Sequence, residues 1–117
     1  MAKYAKHDEE IVAGDDAGIS LTFSELNGDP VSITGWSFYY KAEADWTTDT
    51  IEIAPAAMTL SNSGEGVVDT VDIPITDTES DIEAGFYGHE IARENATGDI
   101  ETVLRGTLTI TKRRTSI

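Results

Sequence analysis

Residues 85–111, GFYGHEIARENATGDIETVLRGTLTIT, are the most regular stretch of this sequence. Two runs with a period of two flank the turn NATGD at 95–99, which contains a glycine. The residues that alternation places on the inward face are Tyr87, His89, Ile91, Leu104, Gly106, Leu108 and Ile110. Two such runs joined by a glycine-containing turn predict a long antiparallel hairpin.

Shorter alternating segments precede the hairpin. Residues 34–44 predict a central core strand, with one face formed by Trp36, Phe38, Tyr40 and Ala42. A second run covers 67–76, where Asp69 breaks the inward pattern and Pro74 indicates an edge position or a bulge. Residues 78–84 can form one helical turn that ends at Gly85.

Seven to eight short strands separated by turn residues, with no long helical period, predict an all-β fold, an antiparallel β-sandwich. Trp36 on an early strand and Tyr87 at the start of a late strand are typical of an immunoglobulin-like sandwich. In that architecture the tryptophan fills the space between the sheets, and the tyrosine hydroxyl bonds to nearby main chain. With no cysteine, the chain has no disulfide, so apolar burial must stabilise the fold.

Length and charge limit the classes of function. The 117 residues predict one domain over 9–111, with a mobile N-terminal arm at 1–8 and a basic C-terminal tail at 112–117. The formal net charge is −14, and such a surface repels nucleic acid and anionic membranes. No apolar stretch is long enough to cross a bilayer. Abundant acids with few lysines also suit a halophilic source, and acidic surface drift is the alternative.

No set of residues predicts catalysis, a cofactor or a specific metal ion. His89 lacks a nucleophile and an orienting acid in the sequence, so we interpret it as a hydrogen-bonded core residue and expect no enzyme. Acid pairs such as Asp15-Asp16 could bind Ca²⁺, but none has the spacing of a calcium loop, and solvated acidic loops are the simpler interpretation. Asn95 begins an N-x-T glycosylation sequence that is equally the composition of a turn.

The chain resembles the small immunoglobulin-like β-sandwich modules found in virion proteins of tailed viruses, in baseplates, tail fibres, necks and capsid attachments. The resemblance extends over about 14–111. The residues that carry it are Gly14, Asp15, Gly35, Trp36, Gly85, Tyr87, Glu90, Ile91, Thr102, Gly106, Thr107 and Leu108. It implies structural attachment without catalytic residues, a virion location, and contacts with other virion proteins and with further copies of the chain.

The leading hypothesis is therefore a virion structural protein, an adaptor in a tail, baseplate, neck or capsid. The termini are the predicted contact elements, with Tyr4 and Lys6 in the arm and the basic cluster Lys112, Arg113 and Arg114 in the tail. No aromatic residue accompanies that cluster, so nucleic acid is not the expected partner.

The alternative hypothesis is a module that binds carbohydrate or a cell-surface receptor. Trp46, with Asp45 and Asp49 in a polar loop, has the composition of a sugar site. The competing interpretation is that Trp46 covers one end of the core.

Overall fold

The computed structural model describes residues 5–64 and 66–114, which form nine strands and two short helical turns. The strands are β1 (Ala5–Lys6), β2 (Glu9–Val12), β3 (Ala17–Thr22), β4 (Ser37–Glu43), β5 (Thr50–Ile53), β6 (Thr59–Ser61), β7 (Thr70–Ile75), β8 (Gly85–Glu94) and β9 (Ile100–Thr111). A 3₁₀ turn covers Pro55–Ala57, and α1 covers Asp77–Ser80.

Two sheets face each other. The larger has the order β1-β9-β8-β4-β5, with β2 also on β9, and the smaller has the order β3-β7-β6. The predicted hairpin is confirmed as β8 and β9, which pair Tyr87 with Leu108 and His89 with Gly106. A register shift at Ile91/Ala92 is the one irregularity in that pairing.

The inward faces of the strands form a single core, as the period-two pattern predicts. The buried apolar side chains are Ile11, Ile19, Ile33, Phe38, Tyr40, Ala42, Ile51, Ile53, Val71, Ile73, Ile75, Tyr87, Ile91, Leu104, Leu108 and Ile110. Both sheets contribute to this layer, which makes the chain a β-sandwich. Burial of this apolar area is the main favourable contribution to folding.

Trp36 differs from its predicted place. It precedes β4 and is only partly buried, so Phe38 and Tyr40 fill the space between the sheets in its stead. The Trp36 ring meets Phe23 edge-on, with centroids 5.5 Å apart, and the Arg93 guanidinium lies 5.0 Å from the Trp36 ring centroid. Trp36 therefore closes one end of the core.

The predicted tyrosine corner and helical turn are both present. The Tyr87 hydroxyl donates to the Glu83 carbonyl oxygen over 2.5 Å. Burial, and then the carboxylates of Asp49 and Glu83, raises the pKa of Tyr87, so this hydroxyl keeps the proton it donates. α1 begins with a capping box formed by Thr76 and Glu79. With these features the fold is an immunoglobulin-like all-β sandwich without a disulfide.

Two N-terminal strands extend the larger sheet beside β9. β1 and β2 pair in parallel with β9, Ala5 beside Leu104 and Ile11 beside Ile110, whereas the other strand pairs are antiparallel. Ala5 and Lys6, which the sequence assigned to a mobile arm, are therefore part of the larger sheet.

Asp69 and Pro74 have local explanations. Asp69 is buried, and its carboxylate closes the loop before β7 by accepting bonds from the Ser63 amide and hydroxyl at 2.9 and 2.7 Å. Pro74 pairs with Gly18, while β6 ends opposite Asp72. Since β6 does not extend to Pro74, the missing amide hydrogen breaks no bond on that side.

Candidate interaction surfaces

The N-terminal segment, defined as residues 5–8, lies against β9 in a slot formed by the core. The His7 amide donates to the Arg105 carbonyl oxygen over 2.9 Å, and the Thr107 amide donates to the Asp8 carboxylate over 2.9 Å. Gly106 forms the floor of the slot, because a Cβ there would overlap the His7 carbonyl group. The missing side chain of Gly106 is thus replaced by the main chain of residue 7.

His89 holds the same carbonyl group from inside the core. Its Nε2 lies 2.7 Å from the His7 carbonyl oxygen, which can only accept, so Nε2 carries the proton. Nδ1 then accepts from the Tyr40 hydroxyl over 2.8 Å. Burial, and then the Glu9 carboxylate, raises the pKa of Tyr40, so its hydroxyl keeps the proton for that bond. The interpretation of His89 as a buried, hydrogen-bonded core residue is confirmed.

Of the contact residues predicted in the N-terminal arm, Lys6 is exposed on β1 beside Arg105. Tyr4 lies outside the described residues. Within the arm that the sequence predicts to be mobile, the His7 main chain and the Asp8 carboxylate have specific hydrogen-bond partners on β9.

The basic tail is divided in the structure. Arg113 is tied to the turn between β2 and β3, since its Nε donates to the Ala13 carbonyl oxygen over 3.2 Å and its Nη2 pairs with the Asp15 carboxylate. Lys112 and Arg114 are exposed. This intramolecular pair holds Arg113 against the turn between β2 and β3, whereas the sequence predicts that Arg113 contacts a partner.

Trp46 covers one end of the core and remains half exposed. Its ring centroid lies 5.4 Å from that of Tyr87, and its Nε1 donates to the Phe86 carbonyl oxygen over 3.4 Å. The ring also packs on Gly85, where a Cβ would overlap it. Of the acids predicted beside it, Asp49 accepts from the Glu83 amide, which directs that carboxylate toward the main chain.

Three exposed apolar side chains are not among the predicted contact residues. Phe86 is 70% exposed, Ile100 is 72% exposed, and Leu26 in the loop before β4 is fully exposed. Alternation along β8, with Tyr87 inward, predicts the outward direction of Phe86. We define Trp46 and Phe86 as the aromatic corner, since the indole bonds to the Phe86 main chain.

The outer face of the larger sheet carries a network of opposite charges. The Lys41 ammonium lies 3.4 Å from both the Glu43 and Glu52 carboxylates, and Arg105 lies 3.5 Å from Glu90. Glu43, and then the bond to Glu52, raises the pKa of Lys41. These exposed pairs stabilise little individually, and they leave a polar outer surface.

The acids and the asparagine considered as sites have structural roles. Asp16 accepts from the Asp77 amide over 2.8 Å, and the Asn95 side-chain oxygen accepts from the amides of Thr97 and Asp99. Across 5–64 and 66–114, no three His, Asp or Glu side chains form a group able to hold a metal ion. No helix in the described part of the chain is long and apolar enough to cross a membrane.

No family model matches the sequence, and no curated protein matches it. Among solved structures, the chain is similar to a proposed glycoside hydrolase of Bacteroides vulgatus, with 10% identity, a TM-score of 0.50 and 90% of this chain covered. The match spans 16% of that solved chain, and it concerns the fold alone.

Two further structures match more of their own length. Murine CRIg has 9% identity, a TM-score of 0.36 and coverage of 92% of each chain. A structure of VGSC β subunits, studied for multimeric cell-adhesive interactions, has 14% identity and a TM-score of 0.33, covering 94% of this chain and 93% of that one.

Proposed function

We propose that this chain is a protein-binding sandwich module that acts as a structural adaptor in the virion of a tailed virus. The observation that carries the proposal is the aromatic corner, where the half-exposed indole of Trp46 donates to the main-chain carbonyl oxygen of Phe86, whose own ring is 70% exposed. Aromatic side chains grouped on an otherwise charged surface are typical of protein contacts. The resemblance to virion sandwich modules is the reason to assign this protein contact to a virus particle.

The distribution of charge supports the same function. A formal charge of −14 makes copies repel one another, so close approach needs salt or a basic neighbouring protein. The exposed Lys6, Lys112 and Arg114 are cationic points at the two ends of this acidic body. Surface complementarity, rather than bond-making chemistry, would then be the mechanism.

Particle association tests the proposal. Virus particles from the source of the gene would be banded in a density gradient, washed with salt and probed with an antibody against the chain. We expect the chain to band with the particles and a Phe86→Ser variant to be depleted from them, with the exposed Thr48→Ser as the matched control. A chain that stays in the soluble lysate while particles band would refute the virion role.

Carbohydrate or receptor binding is the second candidate, favoured by the exposed part of the Trp46 ring. The indole already contacts Gly85 and Tyr87, and about half of the side chain stays accessible to a sugar. Glycan-array binding that disappears in Trp46→Ala would place this function above the virion role.

A further inference from the structure

We propose that the slot on β9 is a docking site for the N-terminal segment of a second copy, so that copies join by exchanging residues 5–8. The slot is lined by Gly106, His89 and Thr107 and is filled by the chain's own His7 and Asp8. The inference rests on the self-assembly that the proposed function includes.

The slot belongs to the folded body rather than to the segment. His89 is 3% exposed and is oriented by the buried Tyr40 hydroxyl, so its Nε2 proton points at the slot whichever chain fills it. An empty slot would leave that proton to water and the space above Gly106 unfilled. An equivalent main chain restores both the hydrogen bond and the packing, so the slot favours such an occupant.

The segment is attached by fewer contacts than the strand that follows it. Ala5, Lys6 and Asp8 are exposed, and His7 is the one partly buried residue of the segment, with its ring centroid 6.4 Å from that of His89. β2, by contrast, buries Ile11, and the next residue, Ala13, donates to the Thr111 carbonyl oxygen over 2.8 Å. Opening of residues 5–8 therefore breaks fewer contacts than opening of β2.

A second copy is the occupant that the chemistry selects. It presents the same main chain with the same Asp8 acceptor, so reciprocal exchange keeps every bond of the closed form. Lys6 brings positive charge to a body that holds all but one of the 22 acids of the chain and only three of its eight basic residues, between Glu9 and Thr111. Salt reduces the remaining repulsion between bodies.

Crosslinking of cysteine variants tests exchange directly, because the natural chain has no cysteine. Lys6→Cys would be mixed with isotopically labelled Arg105→Cys and treated with a short bismaleimide at low and molar salt, and the double variant with both substitutions would be treated in the same way. Lys6 lies directly beside Arg105 on the neighbouring strand and both are exposed, so a docked segment brings the two thiols together. The matched control replaces Arg105→Cys by Glu52→Cys, on β5 at the opposite edge of the same sheet.

We expect the mixed covalent dimer at about tenfold the yield of the control, because docking holds the thiols at high effective concentration. The yield should rise with salt. A yield equal to the control, together with crosslinking of the double variant only within one chain, would overturn the proposal.

Blocking the slot supplies the second measurement. Gly106→Ala fills the floor, and Asp8→Ala, at an exposed position, removes the acceptor for the Thr107 amide, so each should lower the mixed dimer toward the control yield. A mixed dimer unchanged in Asp8→Ala would refute the slot as the docking site. If no mixed dimer forms with an intact slot while the natural chain still bands with particles, exchange alone is refuted. If the mixed dimer forms while the chain does not band with particles, the virion role alone is refuted.

Discussion

Asp69 and His89 are buried polar side chains whose hydrogen bonds fix a nearby loop and a distant segment of the chain, respectively. His89 holds the main chain of residue 7, and Asp69 holds the loop at Ser63. Among the described residues, no buried side-chain nitrogen or oxygen lacks a hydrogen-bond partner. Because an unpaired buried polar atom destabilises a fold, these bonds restrict the ways in which the N-terminus and the loop can lie.

Asp69→Asn should lower stability at neutral pH and flatten its dependence on acid. The Ser63 hydroxyl, and then the Ser63 amide, lowers the pKa of Asp69, because both donate to the ionised carboxylate. The folded state therefore holds the proton less tightly than the unfolded state. The stabilisation that the Asp69 carboxylate contributes is complete above the pKa of Asp in the unfolded chain, about 3.9. It is lost as the pH falls from there toward the lower pKa of Asp69 in the folded chain.

The measurement is the urea midpoint between pH 7 and pH 3. Asp81→Asn is the matched control, since it makes the same charge change at an exposed carboxylate. We expect the midpoint of the natural chain to fall more steeply below about pH 4 than that of Asp69→Asn. Parallel curves for the two proteins would contradict the assigned role of Asp69.

At the scale of an element, the entry of β8 depends on Gly85. Its φ is +149°, and an added Cβ would overlap the Trp46 ring. Gly85→Ala should therefore move the indole off the core end and destabilise the chain by about 1–3 kcal/mol through overpacking, in addition to backbone strain. The measurement is the urea midpoint with the emission maximum of Trp46 in a Trp36→Phe background, which should shift to the red.

Gly98→Ala is the control for that experiment. Gly98 also has a positive φ, of +92°, but an added Cβ there has no atom within 4 Å. Gly98→Ala should therefore destabilise the chain by about 1–2 kcal/mol through backbone strain alone, and the emission maximum of Trp46 should not change. Equal losses and equal spectra for the two variants would mean that Trp46 does not depend on Gly85.

Local patterns predicted the elements, and non-local contacts decided the remainder. Period-two alternation suffices to predict β8 and β9, because successive side chains of a strand point to opposite faces of the sheet. The place of residues 5–8 depends on Gly106, about a hundred residues away, and nothing within the segment encodes that slot. Arg113 likewise pairs with Asp15, which lies 98 positions away in the same chain. Its charge alone predicts a contact with another protein and does not identify this intramolecular partner.

The same limit applies to the candidate surfaces. Trp46 was identified from composition, but its packing on Gly85 and Tyr87 required the fold. The outward direction of Phe86 follows from alternation with Tyr87. Alternation gives the direction of the side chain but not its exposure, which depends on what the fold places above the outer face of the sheet.

At the scale of the whole molecule, the dominant property is charge. Residues 42–92 contain no Lys or Arg, so the acids of that stretch depend for counter-charge on basic residues elsewhere in the chain, such as Lys41 and Arg105. Mutual repulsion favours expanded states, and salt screens it over about 8 Å at 0.15 M and about 3 Å at 1 M. A protein from a halophilic source would rely on that screening.

We therefore expect the thermal midpoint to rise between low salt and 1 M KCl, by about 4–8 °C for each kcal/mol that screening contributes. A matched variant with Glu25→Gln, Asp45→Asn and Asp81→Asn removes three exposed acids and should rise less. Calorimetry of both proteins across the salt series is the measurement. Equal midpoints at low and molar salt would mean that the acids are tolerated without screening. The acidic surface would then give no reason to infer a halophilic source, and the salt dependence expected for copy exchange would need a cause other than charge.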